Sequence, residues 1–178
     1  MTAPAAPLEY FYDLRQLSDA GADVAIKADA VARERIAVWL DAESVRSLTA
    51  TVTLKRNSPN KFAYVASFTC DLVQRSVVSL EPVEAHIEES FKRELHLTAH
   101  GRRAAEKGEA LALAASDDES LEEIDSPHYD LAGPVLEELS LALDPYPRGR
   151  GEQFADPEPL RPEKTSPFAV LKKLKEEG

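Results

Sequence analysis

With a single cysteine, Cys70, in 178 residues, the chain can form neither an internal disulfide nor a cysteine-built zinc site, which needs about four ligands. Its seven glycines are scattered, so no Gly-rich phosphate loop is present. Gly149-Arg150-Gly151 lies in a proline-rich stretch with no helix after it. No apolar run reaches the roughly 18 residues of a membrane span, and Met1 to Pro7 has neither the basic nor the apolar region of a secretory leader. The cytoplasm is the expected location, and no membrane partner is expected. Positive charge is also short: 21 Lys and Arg face 32 Asp and Glu, for a net charge of -11. That balance argues against a general nucleic-acid coat, whose affinity rests on neutralising phosphates, and DNA is not an expected partner.

What is present suits one globular domain with tails. Hydrophobic residues make up 43% and charged residues 30%, enough apolar material for a core and unlike a wholly disordered chain. The charge is uneven: residues 1–45 sum to -4, 46–103 to +3, 104–144 to -11 and 145–178 to +1. The mildly basic middle leaves an RNA-facing surface open beside the plainer reading of ordinary solvated positions.

The pattern along the chain is that of an α+β domain. Residues 1–7 are expected to be loose, and Leu8 to Leu14 and Ala22 to Lys27 read as strands separated by an Asp19–Gly21 turn. Asp29 is a candidate N-cap for a helix to about residue 42, with Val31, Ile36, Val38, Trp39 and Leu40 as its apolar face and Arg33, Glu34 and Arg35 outward. From Val45 the period becomes two. Ala50, Val52 and Leu54 alternate with threonines, 56–61 supplies a turn, and Phe62, Tyr64, Ala66 and Phe68 alternate back, which predicts a long hairpin inside a meander of three to five antiparallel strands over 45–99. Pro82 demands a break, bulge or edge. The acidic run 116–127 reads as a loop, and Ala110 to Ala115 as a strand or helical turn. Asp130 is a candidate cap for a helix over 131–143, with Pro134 in its first turn, Leu131, Val135, Leu136, Leu139 and Leu143 inward, and Glu137 and Glu138 as solubilising charges. Residues 148–178 then form a proline-rich tether and a short helix after Ser166-Pro167. The expected architecture is a single α+β domain over 1–147, an antiparallel sheet packed by two helices, with a partly closed barrel as an open alternative.

Residues placed for catalysis are hard to find. His86, His96, His100 and His128 have no nucleophile motif beside them, and Cys70 within a strand is a packing residue. His96 and His100, four apart, would share a face on a helix and could hold a metal there, but their surroundings alternate as a strand, which places them on one strand face or at its frayed end. The carboxylates of 117–125 lack the spacing and central glycine of a calcium loop. No catalytic residue, metal or cofactor is assigned. An RNA-processing hydrolase would require His86, His96 and carboxylates to cluster.

Three separated segments do carry a signal: Val73-Gln74-Arg75-Ser76-Val77-Val78-Ser79-Leu80-Glu81-Pro82-Val83, then Tyr129-Asp130-Leu131 through Asp144-Pro145-Tyr146-Pro147, and Ser166-Pro167-Phe168-Ala169-Val170-Leu171-Lys172-Lys173-Leu174-Lys175. In order, spacing and terminal position they resemble the YceD family of bacterial proteins required for accumulation of large-subunit ribosomal RNA. The motif positions are Leu80, Glu81, Pro82, Asp130, Leu131, Pro145, Pro147 and Pro167. Val73 and Ser76 stand where many family members have cysteines, so the metal binding once inferred for the family does not carry over.

The resemblance implies a non-enzymatic factor in large-subunit biogenesis whose partner is large-subunit ribosomal RNA, a pre-ribosomal particle, a ribosomal protein or an assembly factor. Two modes are compatible with the residues. Gln74, Arg75, Lys92 and Arg93 on the basic strands would contact structured RNA. Alternatively, Asp117, Asp118 and Glu119 would attract a basic partner while Phe168, Leu171 and Leu174 dock the terminal helix, as in an escort for a basic ribosomal protein.

Overall fold

The structure is a computed structural model that describes residues 6–98 and 120–152. Its element order is β1 (Phe11–Asp13), a 3-10 turn (Leu14–Gln16), β2 (Ala22–Lys27), α1 (Ala30–Trp39), β3 (Ser44–Ser58), β4 (Lys61–Arg75), β5 (Pro82–Leu97), β6 (Ser120–Ile124), β7 (His128–Asp130) and α2 (Ala132–Ala142). A five-stranded sheet runs in the order β2-β3-β4-β5-β6, and β1 pairs with β7 in a separate ribbon. The fold is α+β, and among the described residues β2 and β6 do not pair, so the sheet is open.

Period-two alternation builds the centre. In β3 and β4 the residues Leu48, Ala50, Val52, Leu54, Phe62, Tyr64, Ala66, Phe68, Cys70 and Leu72 are buried, and the cross-strand register Leu54↔Tyr64 and Ala50↔Phe68 puts them on one face. Threonines 49 and 51 face solvent on the other. Pro59 and Asn60 close this hairpin. Pro82 begins β5, where its missing N–H removes only a terminal ladder bond. At the other edge, the turn into β2 uses Gly21 at φ +88, and a Cβ there would lie 2.6 Å from the Leu54 carbonyl oxygen.

The helices cover the apolar face. Asp29 caps α1, its carboxylate accepting from the Ala32 N–H at 2.8 Å. The helix ends where Asp41 turns left-handed at φ 54 and the Ala42 N–H donates to the Ala37 carbonyl. Its buried face is Ala32, Ile36 and Ala37, while Val31, Trp39 and Val38, the last 84% exposed, look outward. This corrects the expected face: small alanines let the helix sit close to β3, and the larger side chains cannot follow. In α2, Ala132, Pro134, Val135, Leu136 and Leu139 are buried and Leu141 is exposed.

Two further expectations change. The first strand is shorter than Leu8 to Leu14, because Asp13 accepts from the Arg15 N–H and turns the chain into the 3-10 segment. The Arg56 guanidinium then ties this segment down, donating to the Leu14 and Leu17 carbonyls at 3.1 and 2.9 Å. Residues 120–124, expected in the acidic loop, form β6, paired in parallel with β5 from Arg93↔Ser120 to Leu97↔Ile124. Backbone pairing and the burial of Ile124 decide this, with Leu121 and Glu123 exposed. Positions 1–5 and 116–119 of the expected loose and acidic segments lie outside the described residues, as do Ala110 to Ala115 and the terminal helix.

Tyr64 joins the layers. Fully buried, it donates its hydroxyl to the Leu131 carbonyl at 2.8 Å and lies 6.2 Å edge-on from Tyr129. Burial pushes its phenol well above the ordinary range. Tyr64→Phe removes that buried hydrogen bond and is expected to cost about 1 kcal/mol in urea unfolding, with an unchanged m-value.

Candidate functional site

The four basic-strand candidates do not assemble. Arg75 pairs with Pro82 and Tyr64 with Arg93 in the β4–β5 register, so Gln74 and Arg75 lie roughly 35 Å along the strands from Lys92 and Arg93. Lys92 sits opposite Val65 on the outer face and Arg93 opposite Tyr64 on the covered face. Adjacent strand residues point to opposite sides, so these two cations cannot act as one patch.

Arg93 is instead a fastening point of the fold. Its side chain is 14% exposed and meets Glu122 at 3.3 Å, Glu137 at 2.8 Å and Glu138 at 3.0 Å, over the ring of Phe91. Burial opposes its charge, but the hydrogen bonds it donates to Glu137, Glu138 and Glu122, with the charge of Glu137, together outweigh burial and raise its pKa. Tyr129 donates to Glu122 at 2.8 Å. Glu137 and Glu138, expected as solubilising charges, therefore hold α2 to β5, while Glu122 brings in β6.

The first two resemblance segments, by contrast, do meet. At the far end of β4–β5 the Gln74 side-chain amide donates to the Asp144 carbonyl at 3.0 Å, and the Val77 N–H to the Pro147 carbonyl at 2.9 Å. Ser76 is fully buried; its hydroxyl accepts from the Val78 and Ser79 N–H groups at 3.1 and 3.2 Å and donates to Glu152. The same carboxylate accepts from Ser79 Oγ and from the Gly149 N–H at 2.9 Å. These bonds, Ser76 first, hold the Glu152 pKa below the ordinary glutamate range. The resulting loop pair exposes Val77, Leu80 and Tyr146, together with Arg75, Glu81, Pro145, Arg148 and Arg150. Among the described residues Arg75 has one ion pair, at 4.0 Å to Glu43.

Other motif residues serve the fold. Asp130 accepts from the Tyr10 and Ala132 N–H groups at 2.7 and 3.0 Å, one residue before the cap position it was expected to fill. Leu131 and Pro147 are buried. Asp117, Asp118, Glu119, Pro167, Phe168, Leu171 and Leu174 lie outside the described residues.

The remaining chemistry-bearing groups stay apart. His86 meets Asp71 at 2.6 Å, and Ser47 also donates to Asp71. The serine does not touch the imidazole, so this is not a nucleophile–base arrangement. The Asp71 carboxylate raises the His86 pKa. His96 lies opposite Lys61, at the other end of the ladder from His86. Cys70 is buried, and burial pushes its thiol up to about 12, which suits the packing role expected for it. Among the described residues no group of three or more His, Cys, Asp or Glu side chains could hold a metal ion, and no helix is long and apolar enough to cross a membrane.

Comparison of the chain with protein-family models, curated proteins and solved structures finds no match.

Sequence reasoning missed the clamp that joins the loop pair. Ser76 stands in the first resemblance segment, but Glu152, 76 positions later, belongs to no recognisable pattern. Leu80 is a motif position, yet its φ of +64 is a conformation that leucine does not advertise.

Two outcomes follow from these contacts. Arg93→Met keeps an apolar stem but leaves three carboxylates facing one another; it is expected to cost about 2 kcal/mol at neutral pH by thermal or urea unfolding, and less in acid as the carboxylates protonate. For Glu152, a lowered folded pKa means that its clamp stabilises above the ordinary glutamate value of 4.5 and is lost as pH falls through the folded pKa. The Val78 and Ser79 amide resonances should therefore titrate with a midpoint below 4.5, and Glu152→Gln should remove that transition.

Proposed function

We propose that this chain is a non-enzymatic binding factor in biogenesis of the large ribosomal subunit, acting in the cytoplasm and supporting accumulation of large-subunit ribosomal RNA. The observation that carries the proposal is the convergence of two segments about 70 residues apart, both resembling the YceD family, into one hydrogen-bonded loop pair. Internal bonds fix these loops, and the surface they present combines cations with exposed aliphatic and aromatic groups. Such a surface suits docking, because rigid groups lose little freedom on association and mixed polar and apolar contacts give selectivity. Arg75, Tyr146, Arg148 and Arg150 replace the dispersed strand cations as its charged and aromatic members. The target is the assembling large-subunit particle.

The test is purification of the tagged protein from its own cells at moderate salt, with and without ribonuclease, reading copurifying large-subunit against small-subunit RNA. The expected result is selective enrichment of large-subunit RNA that ribonuclease removes. Equal recovery of both RNAs, or of neither, would overturn the proposal.

A further inference from the structure

Resting on that reading, we propose that Leu80 is the contact by which the loop pair docks on a protein component of the particle, inserting into an apolar pocket with an acidic rim. Leu80 holds φ +64 with its side chain 69% exposed. Glycine or asparagine would take this backbone conformation at lower cost, and leucine gains no burial in return. A bulky residue kept in a strained and exposed position points to work done outside the fold.

The surroundings keep that strain in place. The Leu80 N–H donates to the Ser76 carbonyl at 3.1 Å, and the Ser76 N–H to the Glu81 carbonyl at 2.8 Å. Ser79 Oγ accepts from the Glu81 N–H at 3.2 Å and donates to Glu152 on the opposite loop. Leu80 therefore stands on a turn bonded from both sides, presented before any partner arrives.

The chemistry of the patch favours protein over RNA. Leu80 and Val77, on the turn after β4, are aliphatic, with no ring to stack on a base and no side-chain donor to read one; the exposed ring of the patch, Tyr146, belongs to the opposite loop, and an aliphatic group seated in a pocket serves as a protein anchor. Charge gives the rim. Glu152 is turned onto Ser76, Ser79 and Gly149, and Asp144 accepts from the Tyr146 N–H at 2.9 Å. Glu81 remains exposed beside Leu80. Arg148 and Arg150 are exposed and make no ion pair among the described residues. Three exposed guanidiniums, Arg75 included, thus lie on the same loop pair as the knob and match carboxylates on a partner.

Leu80→Gly separates binding from folding, because glycine suits the backbone and removes only the side chain; Leu80→Asn is the second variant. Both are expected to melt at or above the wild-type temperature and to lose at least tenfold in cosedimentation with isolated large-subunit precursors. Photo-leucine at position 80 should crosslink to a protein of the particle. Wild-type sedimentation away from precursors would overturn the particle reading and this inference with it. Wild-type sedimentation with precursors, matched by both variants, would overturn the inference alone. Crosslinking to RNA only would assign the surface to RNA and overturn the protein partner. Lower melting of both variants would make Leu80 a residue of the fold and overturn its docking role.

Discussion

Arg93 places a positive charge on the covered face of the sheet, opposite Tyr64, and three carboxylates from two other elements close around it. A single guanidinium can do this because its planar fork offers several donors at once, which an ammonium on a flexible stem would not match as well. The consequence reaches beyond one ion cluster. Glu122 belongs to the short parallel strand, Glu137 and Glu138 to the last helix, and Tyr129 of the β1–β7 ribbon donates to Glu122. Arg93 is largely withdrawn from water while Glu137 stays 62% exposed, so the cost of burying the guanidinium is offset only where these carboxylates stand around it, which favours this arrangement of the elements. Tyr64, bonded to Leu131 at the start of that helix, works at the same junction.

The parts of the fold legible in the sequence are those where local periodicity and burial agree. The long hairpin follows from alternation of Ala50, Val52 and Leu54 with threonines, the first helix begins at its expected cap Asp29, and the last helix buries Val135, Leu136 and Leu139 as its spacing requires. Less legible were features decided by distant partners. Ser120–Ile124 looks like loop because it is acidic; it becomes a strand because the end of β5 offers it a backbone ladder and Glu122 finds Arg93. The first helix misled by hydrophobicity, since Val38 and Trp39 outrank the alanines that actually face the sheet. Arg93 looked available for RNA for a similar reason. Its residue type was visible, whereas the three glutamates that take up its donors were not.

The two ends of the β4–β5 ladder have become different kinds of structure. One end is closed by aromatic rings and the Arg93 cluster, with α2 laid across it. At the other end closure falls to the turn after β4 and the loop after α2. Hydrogen bonds through Ser76, Ser79 and Glu152 perform that closure with little apolar burial. Small polar groups at this end leave Val77, Leu80 and Tyr146 in solvent, where a conventional core would have drawn them inward.

This division sorts the motif positions by physical role. Asp130 satisfies two backbone donors, Leu131 is buried and accepts from Tyr64, Pro82 starts a strand, and Pro147 is buried with its carbonyl bonded to Val77. Folding alone accounts for those residues, so their presence says little about activity. With Pro167 outside the described residues, Leu80, Glu81 and Pro145 remain, all exposed on the same loop pair. A fold requirement would favour polar or glycine residues at such sites, because a strained leucine in water gains nothing from hydrophobic burial. On the proposed reading, docking therefore falls to this small exposed remainder rather than to the basic strands, whose cations the sheet geometry separates.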